Sequence, residues 1–180
     1  QPDLFAAYMG MGQMVNSTEN DILSYEYALN YAQQKGDAIA FEAISKYGPP
    51  PYSGQGAALK YSNYLTTYVN VYDAESAGRE MPKDFFLKVF LTPEYGLMDA
   101  VNQVRGSMDG MDYIYAPQLA DLDLEAQAQK LDVPVYLLEG RFDHNANAVL
   151  AERWFKQLQA PHKELIWFEH SSHSPMISET

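Results

Sequence analysis

Two uninterrupted apolar runs, VPVYLLEG at 133–140 and ELIWFE at 164–169, bracket an amphipathic stretch at 146–159 in which Val149, Leu150, Trp154 and Leu158 share one side. A hydrophobic run without polar alternation is the mark of a parallel strand covered on both faces. Parallel strands need a crossover, and a helix is the usual one. Strand, helix and strand in so short a span therefore form a βαβ unit, which excludes an all-helical or an all-β chain. A third apolar run, LFAAYMGMGQMV at 4–15, could by periodicity be a strand or a buried helix. Gly10 and Gly12 favour a strand that another backbone approaches closely.

Between these ends the pattern is helical. Asn16-Ser17-Thr18 followed by Glu19 and Asp21 reads as a helix N-terminus, with Ile22, Tyr25, Leu29 and Ala32 continuing it. Gly36-Asp37 restarts a second helix through Ile39, Ala43 and Ile44, which Gly48 and Pro49 to Pro51 end. A tyrosine-rich helix is expected over 56–72, and Pro82 opens a fourth carrying Phe85, Phe86, Val89 and Phe90. Thr92-Pro93 starts a fifth that Gly106 stops, and residues 107–131 read as a short helix, a break at Pro117, and an Ala/Gln-rich helix. The predicted organisation is α/β: a strand region at 1–15, a helical insertion at 16–131, and a C-terminal βαβ part at 132–180.

Composition narrows the function classes. The 180 residues include 12 basic and 24 acidic side chains, for a net charge of -12, with no basic cluster, which argues against a phosphate-backbone binder. No cysteine is present, so there is no disulfide framework, thiolate metal site or cysteine nucleophile. The chain has no apolar window as long as the ~18–20 residues a membrane span needs. The apolar share of 47% is enough for a real core.

Chemistry concentrates just past the two apolar runs, at Gly140-Arg141-Phe142-Asp143 and at His170-Ser171-Ser172-His173-Ser174-Pro175. Ligands of open α/β sheets bind outside the carboxyl ends of the strands. An Asp and a His on adjacent strand ends can meet there, the acid fixing the tautomer and the free ring nitrogen acting as base. Alternatively, Asp143 caps the helix beginning near Ala146 and His173 is an ordinary loop residue; spacing alone leaves both open. His144, His170 and His173 with Asp143 and Glu169 could be imagined around a metal, but the two later histidines sit on a proline-containing loop, not one helix face. No metal or cofactor is therefore expected. Tyr61, Tyr64, Tyr68 and Tyr72 could line a pocket, although a packing face of a helical layer is the simpler assignment.

The segments VPVYLLEGRFDHN (133–145), ERWFKQLQAPHKELIWFEHSSHSP (152–175) and AAYMGMGQMV (6–15) resemble the α/β-hydrolase fold family, and within it the proline-iminopeptidase-like subgroup. The resemblance implies that Asp143, in a Gly-Arg-x-Asp turn after the seventh strand, is the triad acid. It implies that His173, in a Ser-x-His-x-Pro turn after the eighth, is the base. The first segment then corresponds to the sixth strand, and the helical insertion to the family's cap. In that subgroup cap acids hold a peptide's free amino terminus; Glu75 and Glu80 are available, though no motif singles them out.

One departure is plain: no Gly-x-Ser-x-Gly elbow occurs, and Gly106-Ser107-Met108-Asp109-Gly110 has the wrong spacing and position. The reading is thus a partial α/β-hydrolase sheet, its last three parallel strands, with a large helical cap and with the nucleophile, oxyanion loop and first strands upstream. Such a chain is expected to be inactive alone and to self-associate or pair with the N-terminal half through an open sheet edge. The parent is expected to be a soluble, cytoplasmic aminopeptidase or esterase acting on a short peptide or small molecule, with no nucleic-acid or membrane partner. Two other readings stay open: an alkyl-type hydrolase with an aspartate nucleophile, and a non-catalytic helical binding domain.

Overall fold

The computed structural model describes residues 2–52, 56–78, 96–110, 113, 119–173, 175 and 179. Strands β1 (Tyr8–Met11), β2 (Val135–Gly140) and β3 (Lys163–Phe168) form one parallel sheet in the order β1-β2-β3. Tyr8 lies opposite Val135, and Val135 opposite Lys163, so the three carboxyl ends lie side by side. The chain is therefore mixed α/β, as the apolar runs predicted, and the glycine-bearing run at 4–15 supplies a strand.

Only the central strand is as covered as expected. Val135 and Leu137 are buried, whereas β3 alternates between half-buried and exposed positions, Ile166 being 37% exposed. Helix α7 (Ala148–Gln157) covers one face: Leu150, Ala151, Trp154 and Leu158 pack with Val15, Val135 and Leu137, and Leu165 joins them. Val149, assigned to that face by periodicity, is 58% exposed. Ala151 packs in that cluster, and Ala148 is buried as well.

The helical region begins where its caps predict. Asn16 Oδ1 accepts from Glu19 N at 2.9 Å to start α1 (Ser17–Lys35), and Gly36, at φ 70, closes it. Asp37 Oδ1 accepts from Ala40 N at 2.9 Å to start α2 (Ala38–Tyr47). The helix expected over 56–72 is instead α3 (Ala57–Tyr64), a π-helical turn at Leu65–Val69, and α4 (Asn70–Ser76). Helix α5 (Leu97–Gly110) runs through Gly106 instead of stopping there, and the expected Ala/Gln-rich helix shrinks to one turn, α6 (Leu124–Gln127), capped by Asp123. The Pro82 helix with its phenylalanines, the Thr92-Pro93 start, Glu80 and the Pro117 break lie outside the described residues.

The chain enters and leaves this region at one place. Leu124 N donates to Val15 O at 2.8 Å and Ser17 N to Leu122 O at 3.2 Å. Arg153 of α7 bridges the junction through Glu19 and Glu125, with Nη1 2.8 Å from Glu19 Oε1 and Nε 2.8 Å from Glu125 Oε1. Two apolar clusters result: the sheet–α7 core, and a second one of Ala28, Ala32, Ala40, Ile44, Tyr64, Val69 and Tyr72. Tyr61 and Tyr68 pack against that second cluster, so the tyrosine series forms a packing face.

Between the clusters runs a polar seam that hydrophobic periodicity misplaced. The buried face of α1 is Asn20, Ser24, Ala28 and Ala32, while Ile22 is 39% exposed. Asn20 Oδ1 accepts from Asn147 N at 2.8 Å and Asn147 Nδ2 at 2.9 Å, and its own Nδ2 donates to Asn145 O at 2.8 Å. The face is polar because it meets a buried loop whose peptide groups have to be satisfied. Asn20→Ala strands several of these groups and is expected to cost about 2–4 kcal/mol in denaturant unfolding. Ile22→Ala, on the face that periodicity favoured, is expected to cost less than about 1 kcal/mol; equal losses would show that the seam is not what fixes α1.

Candidate active site

The loops after β2 and β3 cross at Gly140. A Cβ there would fall 2.6 Å from the carbonyl oxygen of Ser171 and nearer still to that of Ser172, so only glycine allows the crossing. Phe142 N donates to Ser171 O at 3.0 Å, and Arg141 N to Phe168 O at 2.9 Å, which ties the two loops together. Asp143 and His173, thirty positions apart in sequence, meet just beyond.

Asp143 uses its two oxygens differently. Oδ1 accepts from the backbone N–H of Asn145 at 2.9 Å and of Ala146 at 2.8 Å, closing the turn that leads to α7. Oδ2 lies 3.0 Å from His173 Nδ1. Asp143 thus closes a turn and pairs with the histidine through one side chain that is only 2% exposed, but it does not cap the helix. The helix itself starts later than expected, at Ala148 with Asn147 as its N-cap.

A carboxylate accepts only, so the proton between the two belongs to Nδ1 and Nε2 is left as the basic nitrogen. No hydrogen bond engages Nε2 among the described residues, and the imidazole is 41% exposed. Burial opposes charging the ring. The hydrogen bond to Asp143 and the negative charges of Asp143, Glu139 and Asp73 outweigh it and lift the His173 pKa above its ordinary value. Gly12 supports the ring from the end of β1: it has φ +53, and a Cβ there would sit 3.0 Å from Nδ1 and 3.1 Å from the His173 carbonyl oxygen. A side chain at position 12 would meet both backbone strain and the imidazole.

Sequence reasoning missed Glu139. It sits on β2 on the same face as Val135 and Leu137, by the two-residue alternation of a strand, and is wholly buried. Oε1 accepts from Gln13 N at 3.1 Å, and Oε2 has no hydrogen-bond partner among the described residues. Burial, aided by the charge of Asp143, pushes its carboxyl up to about 8 against the pull of the Gln13 N–H and of His173. The only signal in sequence was a charged residue ending an otherwise apolar run.

The other candidates are engaged elsewhere. His144 turns away to Asp73, Nδ1 to Oδ1 at 2.7 Å. His170 donates its backbone N–H to Glu179 at 3.0 Å, and Glu169 holds Arg141 in a two-bond pair while that guanidinium lies 3.9 Å over the Trp167 ring. Among the described residues no three His, Asp or Glu side chains converge as a metal site would require. Glu75 is paired with Lys35 and Tyr31. Among the described residues no helix is long and apolar enough to cross a membrane.

No family model matches the chain. Across 180 residues, 99% of its length, it is 24% identical to a probable aminopeptidase of Bacillus subtilis (strain 168), YbaC. That stretch is 55% of YbaC, so the chain spans about half the length of the curated relative it matches. The chain is thus distantly similar to a probable aminopeptidase, and its own architecture is three parallel strands with a large helical region between the first and second.

Glu139 gives the site a pH signature. Its folded pKa lies above the unfolded value near 4.5, so the folded state holds the extra proton. The stability this contributes is complete below the unfolded pKa and is lost as pH rises through about 8. Glu139→Gln, a permanently neutral isostere, is expected to match the parent at pH 5 and exceed it by about 2 kcal/mol or more at pH 9 in denaturant unfolding. Parallel pH profiles for the two proteins would mean the buried carboxyl is ionised throughout.

Proposed function

We propose that these residues are the acid and base of a Ser-His-Asp hydrolase of the aminopeptidase kind, proline-iminopeptidase-like or an esterase, with the helical region as its cap. The observation that carries this reading is the 3.0 Å contact between His173 Nδ1 and Asp143 Oδ2 at adjacent strand ends. Distant similarity to a probable aminopeptidase supports it. In this scheme His173 Nε2 takes the proton from a hydroxyl as that oxygen attacks an acyl carbon. The same nitrogen then returns the proton to the departing amine or alcohol. Asp143 remains ionised, holds the ring in the required tautomer and stabilises the imidazolium. Because the neighbouring anions lift the His173 pKa, its base form is reached at a higher pH than for a free histidine.

No Gly-x-Ser-x-Gly elbow lies in these 180 residues, so the proposed nucleophile comes from polypeptide beyond them. Strand β1 is the place for that polypeptide to dock. Among the described residues it pairs on one side only, with β2; Met9 within it is 64% exposed, and Phe5 and Leu4 before it are 66% and 71% exposed. An unpaired strand edge with apolar neighbours favours addition of another strand, from the N-terminal half or from a second copy. The net charge of -12 favours a cationic substrate, such as a peptide with a free amino terminus, over an anionic one.

The test is a serine-reactive phosphonate applied to the intact protein, with mass analysis of where the adduct sits. An adduct on a serine outside these 180 residues, lost in His173→Ala, supports the reading; one on a serine within them displaces it. With a peptide or ester substrate, Asp143→Ala and His173→Ala in the same protein are each expected to lower kcat by about 10⁴. Near-parental turnover in either variant would remove that residue from the mechanism.

A further inference from the structure

The loop that carries Asp143 is gripped from the helical region by side chains that the proposed chemistry does not use. Asp73, on α4, is fully buried, and both of its oxygens leave the helical layer to bind one residue of the core. Oδ2 accepts from His144 N at 2.9 Å, and Oδ1 lies 2.7 Å from His144 Nδ1. Ser24 Oγ of α1 donates to His144 O at 2.6 Å. The Tyr27 ring, also on α1, stacks on the His144 imidazole with centroids 3.6 Å apart and planes 3° from parallel. The N–H, the C=O and the ring of His144 are all fixed by α1 and α4.

His144 is the chain neighbour of Asp143, so the peptide linking them is bound at both ends. Its N–H is held by Asp73, and its carbonyl, that of Asp143, accepts from Ala148 N at 2.9 Å. We propose that Asp73 is a positioning residue: by its two-oxygen hold on His144 it sets the loop that aims Asp143 at His173, making α4 and the Asp143–His173 pair one mechanical unit. This inference rests on the Asp143–His173 pairing of the proposed function. It goes beyond that function by giving the helical region a part in the geometry of the acid, apart from any part in holding substrate. A carboxylate serving only the fold of the helical layer would bond only within that layer, whereas Asp73, besides its contact with Tyr27 there, sends both oxygens to the core loop.

The experiment is NMR on the intact ¹⁵N-labelled protein, reading the downfield Nδ1–H proton and the ring ¹⁵N shifts of His173 and the titration of its ring, with His173→Gln to assign the signals. Asp73→Asn keeps the size but confronts one of the two His144 donors with an N–H group. It is expected to move the His173 proton upfield and to lower the ring's midpoint by about half a pH unit. His144→Gln keeps the Asp73 charge and loses the gripped ring, so it separates position from charge; the upfield movement is expected there too. Glu75→Gln makes the same charge change on the same helix at a carboxylate paired with Lys35, and is expected to leave the proton in place.

If Asp73→Asn acts but His144→Gln leaves the proton unmoved, Asp73 works through its charge alone and the positioning role is overturned. Should Asp73→Asn fail to fold, His144→Gln decides the question by the same signal. A proton present in the parent and unchanged in both variants overturns this inference while leaving the dyad standing. Ring ¹⁵N shifts that put the His173 proton on Nε2 in the neutral parent overturn the Asp143–His173 pairing itself.

Discussion

A buried turn with many peptide groups and few apolar atoms is the constraint around which the rest is arranged. Residues 141–147 pass between two hydrophobic clusters, and every N–H and C=O removed from water there needs a partner. The partners come from both sides: Asp143 from within the turn, and Asn20, Ser24, Asn70 and Asp73 from the helices above. That demand explains why a helix of 19 residues turns an asparagine and a serine inward, and why the helical region meets the sheet through polar groups instead of a third apolar cluster. A buried network of this kind is rigid, because any slippage leaves several buried groups unpaired at once.

What could be read in the sequence was what is local or repeats along one element. The caps at Asn16 and Asp37 announce themselves because the bonding partner is three residues away. The apolar runs announce β2 and β3, and the strand-end rule brings Asp143 and His173 together. The seam was not legible, because Asn20 meets Asn147 across 127 positions and Asp73 meets His144 across 71. Each looks, on its own helix, like a residue for solvent. The same blindness hid Glu139, whose burial is tied to the close approach of Gln13 just past the end of another strand. Val149 and Ile22 failed for the complementary reason: apolar character assigned them to faces that alanine, asparagine and serine occupy.

Three carboxyl groups, Asp143, Glu139 and Asp73, act on the one imidazole of His173, and all three are buried. Like charges this close resist joint ionisation, and burial divides them. Among the described residues, Asp143 accepts from two backbone N–H groups and pairs with His173, Asp73 is held by His144 and Tyr27, and Glu139 accepts from one backbone N–H. The carboxyl with the fewest donors, Glu139 behind Gln13, is the one that burial pushes up to about 8. Two roles are drawn from one residue chemistry by the number of donors each group is given.

The π-helical turn at Leu65–Val69 adds a matter of phase. Such a turn takes in one residue more than an α-helical turn, so α4 is rotated by about 100° from where an unbroken helix would have put it. Tyr64 before the turn and Val69, Tyr72 and Asp73 at its end and beyond all face inward. The extra residue is what lets one length of chain point a tyrosine into the aromatic layer and, nine positions on, a carboxylate into the core loop. The reach of Asp73 to His144 is therefore written partly in the angular register of the segment before it, and a chain one residue shorter there would carry the same aspartate facing another way.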